Sequence, residues 1–153
     1  MAAETPTVHA SAVLAGARAV LIRGPAGAGK SKLALALIDA AQAGLLAFAR
    51  LVGDDRVHLE PHHGRLVVRP APPLAGLIEV RGLGIRRLDH EPVAVVGLVV
   101  DLAADDAGRL PAGTAAVICG ISLPRLEVAA GAEASYPVLA RLRFAPGDIK
   151  PPS

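Results

Sequence analysis

The apolar positions of this chain fall in short runs punctuated by glycine, proline and charge, so strands dominate the expected elements. Val8 to Leu14 predicts a strand, with Gly16 marking the turn after it. Ala19 to Arg23 predicts a buried strand that ends at Gly24. Lys30 to Ala43 is rich in Ala and Leu, puts Leu33, Leu37 and Ala41 at helical spacing, and meets a C-cap glycine at Gly44; it predicts a helix. Leu51 to Gly53 is a short strand leading into Asp54-Asp55. Val57 to Leu59 and Leu66 to Val68 flank a Pro61-His62-His63-Gly64 turn and predict a hairpin. Leu77 to Val80, Val93 to Leu102, Ala115 to Ile118 and Leu123 to Val128 add strands, and Ala132 to Leu142 predicts a short helix near Pro137. The pattern describes a single α/β domain over residues 1–153, with a mixed, partly antiparallel sheet and no internal repeat.

Composition narrows the classes. The 153 residues are 52% hydrophobic but only 2% aromatic, so the expected core is built from small aliphatic side chains. Cys119 is the only cysteine, which excludes an internal disulfide and fits a reducing compartment. A net charge of +2 and the shortage of stacking rings argue against a nucleic-acid partner. Met1 to Pro6 has no basic leader, and no apolar run reaches the roughly 18 residues of a membrane span, so the expectation is a soluble, cytoplasmic protein without a membrane partner.

Gly24-Pro25-Ala26-Gly27-Ala28-Gly29-Lys30-Ser31 fits the pattern of a P-loop, and it lies between a predicted strand and a predicted helix. Gly27 and Gly29 let the backbone turn tightly and aim N–H groups at phosphate oxygens. The helix start adds the positive end of its dipole. Lys30 then reaches the β- and γ-phosphates of ATP, and Ser31 is a ligand for Mg²⁺. Asp54 and Asp55 follow a short strand 24 residues beyond Lys30, room for one helix and a return strand. One carboxylate can serve the metal and the other can accept a proton from an attacking hydroxyl, with Arg56 as a counter-charge; the sequence does not say which does which. In Ile78-Glu79-Val80-Arg81-Gly82-Leu83-Gly84-Ile85 the charges of Glu79 and Arg81 share one face of a strand. Glu79 suits a Mg²⁺ shell and Arg81 a transferred phosphoryl group; the same alternation equally describes a solvated edge.

These segments, in this order, resemble the catalytic domain of HPr kinase/phosphorylase. The matching segments are Val8-His9, the loop Gly24 to Ser31, Val52 to Val57, and Ile78 to Ile85, with Gly108-Arg109-Leu110 and Pro124-Arg125-Leu126 as shorter echoes. The resemblance implies an ATP- and Mg²⁺-dependent protein-serine kinase acting on an HPr-type phosphocarrier of a phosphotransferase system. It implies a P-loop fold related to phosphoenolpyruvate carboxykinase and a hexameric assembly. It gives His9 and Arg109 places near the active site, the Asp54-Asp55 pair the proton transfer, and Glu79 a second metal contact. The chain is similar to the short α-proteobacterial forms. Pro25 and Ala26 stand where the family usually has Asp and Ser, and Lys32 where it has an acid. Glu127 to Gly131 stand where longer members carry a basic loop linked to the reverse reaction, which leaves the phosphorylase activity open.

The remaining candidates are weaker. The side chains of His62 and His63 diverge as neighbours, which argues against one shared metal. Cys119, beside Gly120 in an apolar run, reads as a small buried residue. Two other functions fit a P-loop. A small-metabolite kinase needs an arginine-bearing lid, for which Arg86-Arg87 is the available pair. A regulatory module that binds nucleotide without transfer calls for loss of the base or of Glu79, and both are present.

Overall fold

The computed structural model of the protein describes residues 6–104 and 115–144. Its elements run β1 (Thr7–Val8), β2 (Ala10–Ala15), β3 (Arg18–Arg23), α1 (Lys30–Gln42), β4 (Ala49–Gly53), β5 (Val57–His62), β6 (Arg65–Pro70), a 3₁₀ turn at Pro72–Leu74, β7 (Leu77–Val80), β8 (Gly84–Arg87), β9 (Ala94–Leu102), β10 (Ala115–Ile118), β11 (Ile121–Val128) and α2 (Ser135–Arg143). The class is the mixed α/β fold expected from the sequence.

The main sheet runs β1-β5-β6-β9-β3-β2-β4. The β3–β9 pair is parallel, and the other pairs along this path are antiparallel. β9 is long enough to hold two partners on one edge. Its start pairs with β6 through Ala94 and Val95, and its end pairs in parallel with β11 from Val99 to Leu102. Both faces are buried, and the period-two alternation of the strands divides between them. Ala19 and Leu21 of β3 join one apolar cluster with Val52, Val57, Leu66 and Val68, under the curled β5–β6 hairpin. Val20 and Ile22 join a second cluster with Leu33, Leu37, Leu98, Val100, Ile78 and Val138, beneath α1 and α2.

Helix α1 follows from its spacing. Leu33, Ala34, Leu37 and Ala40 form the buried stripe. Its N-cap is Gly29 in a left-handed conformation (φ 100). At the far end Gly44 (φ 81) donates to Ala41 O and Leu45 N–H returns to Ala40 O, closing the last turn.

Several expectations are corrected. The strand from Val8 to Leu14 is broken at His9 into β1 and β2, which pair with different neighbours, β5 and β3. The turn between β5 and β6 is only His63-Gly64, because the strands extend to His62 and Arg65; both turn residues have positive φ, as a two-residue hairpin of this hand requires. Cys119 is exposed, not buried. With φ 52 it shares with Gly120 the two-residue turn between β10 and β11, so the apolar run around it is a hairpin tip. β8 was not expected. Arg81 therefore sits in a turn after β7, closed by Leu83 N–H to Val80 O at 2.9 Å, and does not continue the strand face of Glu79. Among the described residues, no helix is long and apolar enough to cross a membrane.

Candidate functional site

The loop from Gly24 to Ser31 joins the buried strand β3 to α1 at the carboxyl end of the parallel strands, where open α/β sheets bind ligands. Gly24, Gly27 and Gly29 all adopt positive φ. Gly24 is also closely packed: a Cβ there would meet the Leu102 Cβ at 3.1 Å and the Leu102 carbonyl at 3.2 Å. Pro25, Ala26 and Ala28 make up the rest of the loop, and Ala28 N–H donates to Pro25 O at 3.1 Å. The Lys30 ammonium folds back over this loop, donating to Gly24 O at 2.8 Å and Pro25 O at 3.1 Å. It is thereby held at the centre of the turn with only 7% of the residue exposed.

β4 delivers Asp54 and Asp55 beside that loop, and the backbone then separates them. Asp55 has φ 68, and Arg56 N–H donates to Asp54 O at 2.8 Å, a three-residue γ-turn centred on Asp55. The adjacent side chains consequently point to different surroundings. Asp54 is 4% exposed. It accepts from Ser31 Oγ at 2.7 and 2.9 Å, from Ser11 Oγ at 2.6 Å and from Glu79 N–H at 3.3 Å. The Asp55 side chain is 63% exposed, and its Oδ1 lies 2.9 Å from His9 Nε2. Ala10 N–H also donates to Asp55 O at 3.2 Å, so the break at His9 is pinned to the turn. Arg56 is exposed and makes no ion pair with either aspartate.

Two hollows flank the loop. One, of about 630 Å³, is lined by Gly27, Gly29, Ser31, Lys32, Leu35, Glu79, Val80 and Arg81. The other, of about 370 Å³, is walled by Pro25 to Ala28, Leu102, Ala103 and Val128 to Ala132, and has no charged side chain in its lining. A polyphosphate and its cation fit the first by charge, since Lys32 and Arg81 stand beside the carboxylate of Glu79 and the hydroxyl of Ser31.

Sequence reasoning thus finds His9, Lys30, Ser31, Asp54, Asp55 and Glu79 gathered around one loop, while Arg109 lies outside the described residues. It missed Ser11. The sequence carried no signal for it: the strand is broken at His9, so period two does not link the two residues, and a serine among the alanines of β2 does not stand out by type. It also missed an ion cluster behind the loop. Arg23, in register with Asp101 across β3–β9, donates to both Asp101 oxygens at 2.7 and 2.8 Å. Arg125 Nε donates to the same carboxylate at 2.5 Å, and Arg125 Nη1 reaches Glu127 at 3.2 Å. Burial pushes the Asp101 carboxyl up, but the two guanidinium groups outweigh it and hold it below the ordinary 3.8.

Comparison with known proteins adds an independent line. The family of the HPr Serine kinase C-terminal domain matches residues 1–90. The HPr kinase/phosphorylase of Lacticaseibacillus casei is 39% identical over 84 residues, covering 54% of this chain and 24% of that protein. That of Clostridium beijerinckii is 42% identical over 66 residues, 43% of this chain and 20% of its own length. The matched stretch therefore spans a quarter or less of these relatives. The solved structure of the Hpr(Ser) kinase/phosphatase from Coxiella burnetii superposes with a TM-score of 0.66 at 26% identity, over 82% of this chain and 86% of that one.

Proposed function

We propose a function from one premise: the chain belongs to the HPr serine kinase C-terminal domain family. It transfers the γ-phosphate of ATP to a serine of an HPr-type phosphocarrier. The observation that carries this reading is the separation of two consecutive carboxylates. Asp54 is buried and saturated by donors, one of them the Ser31 hydroxyl, while Asp55 is open to solvent beside His9. A carboxylate that already accepts from two hydroxyls and a backbone N–H is poorly placed to take a further proton, so Asp55 is the general base and Asp54 the anchor of the cation site. His9 orients Asp55.

The donors suit Mg²⁺: a serine hydroxyl and oxygen-bearing side chains around a phosphate-binding loop are hard ligands. Ser31 would hold the ion directly, backed by Asp54, with Glu79 facing the same cleft. Mg²⁺, when bound, offsets the charge developing on the transferred group. Lys30 exchanges the Gly24 and Pro25 carbonyls for β- and γ-phosphate oxygens. Leu35 and Val80 give the cleft an apolar wall for the nucleoside. The attacking serine enters from the Asp55 side, in line with the γ-phosphate. A cytoplasmic location and the hexamer implied by resemblance belong to the same reading.

The test is transfer of labelled γ-phosphate from ATP to a purified HPr-type phosphocarrier. Serine labelling that requires Lys30 and Asp55 is the expected result. ATP binding without labelling of any phosphocarrier overturns the reading.

A further inference from the structure

Ser11 is fully buried in β2 between Ala10 and Ala12, both also at 0% exposure. A hydroxyl in such surroundings is costly unless paired. Its partner is Asp54 Oδ1, at 2.6 Å. Directly after Ser11, the pairing of β2 with β4 shifts register between Ala12 and Val13, close to where β4 hands the chain to Asp54.

The hydrogen-bond inventory gives Ser11 a task. Ser31 has one hydroxyl proton and two lone pairs. Its proton is committed to Asp54, which it approaches at both oxygens. The lone pairs are then free for a cation, but only while Asp54 keeps its orientation. Carboxylates turn easily about their last torsion. Glu79 N–H holds Oδ2 at the longer distance of 3.3 Å, and Ser11 holds Oδ1 at 2.6 Å from the opposite, buried side.

We propose that Ser11 is a positioning residue for the cation site: by fixing Asp54 it makes the Ser31 hydroxyl present its lone pairs to a divalent cation on the bound nucleotide. It touches neither cation nor phosphate. This rests on the reading of the loop as an ATP site.

The experiment is Mn²⁺ binding to the full chain in the presence of ATP, followed by electron paramagnetic resonance, with Mn²⁺ as the spectroscopic stand-in for Mg²⁺. ATP affinity without metal is measured alongside. Ser11→Ala weakens Mn²⁺ by about 10- to 100-fold, the usual cost of losing a partner that orients a ligand. Metal-free ATP binding changes less than about twofold. Ser11→Thr and Ser11→Val have the same shape and differ by the hydroxyl, so Thr stays near wild type and Val follows Ala. Unchanged Mn²⁺ affinity in Ser11→Ala overturns the proposal, as does an equal weakening of metal-free ATP or a Val variant that matches Thr. Wild type that binds no Mn²⁺ with ATP removes the ATP-site reading itself.

Discussion

A single backbone angle decides where the two aspartates face. At φ 68, Asp55 occupies a region that costs an L-residue about 1–2 kcal/mol, and the γ-turn it centres is of the rare, strained kind. Strain of this sort persists where the surroundings enforce it, here through Arg56 N–H, Ala10 N–H and His9. Asp55→Gly is therefore expected to raise stability by about 0.5–1 kcal/mol in denaturant unfolding while abolishing transfer. Asp55→Asn keeps the turn and lowers kcat by about 10²- to 10⁴-fold, with ATP binding retained. Asp54→Asn acts differently, raising the Mg²⁺ concentration needed for half-maximal rate. The pair was legible in the sequence, but the assignment within it was not. A reversal of side-chain direction between adjacent residues depends on a left-handed angle that Asp tolerates and does not announce.

At the scale of elements, what was legible followed from period and punctuation. β3, the loop and α1 are each specified by residues within the element: an apolar run, glycines, and a stripe ending at Gly44. The break at His9 depends on partners elsewhere in the chain, and β8, which buries nothing, on a local hairpin with β7. β8 is exposed along its length and, among the described residues, pairs only with β7, so no buried face marks it. Strand junctions carry further consequences. A Cβ on Gly53 would lie 2.7 Å from Val57 Cγ1 and 3.2 Å from Pro70 Cα, so Gly53→Ala should cost about 1–3 kcal/mol and displace the aspartate turn that follows. Calorimetry and ATP binding report the two effects. Asp101 ties β3, β9 and β11 together through Arg23 and Arg125. Its folded pKa lies below 3.8, so its contribution is present above that value and is lost as pH falls through the folded pKa. Acid titration of stability should show this loss in the wild type and not in Asp101→Asn, which also costs about 2 kcal/mol at neutral pH because the amide keeps one acceptor oxygen but loses the charge that faces Arg23 and Arg125.

For the molecule as a whole, the site is assembled from distant parts of the chain. His9 meets Asp55 and Ser11 meets Asp54 across more than forty residues, and all of them lie on a sheet whose middle strand is β9. A ligand that binds this arrangement and not the unfolded chain stabilises it by mass action, so ATP with Mg²⁺ at a hundred times its Kd should add about 2.7 kcal/mol, read as a rise in Tm. The position of β9 has one more consequence. The family match ends at residue 90, and β9 begins at Ala94. A fragment cut at that boundary would keep the loop from Gly24 to Ser31, Asp54, Asp55 and Glu79, yet it would leave β3 and β6 with bare, apolar, hydrogen-bonding edges where their shared neighbour belongs. Such edges recruit other chains. The stretch that matches the family is thus not one that can stand alone, and it depends on the strand just beyond it.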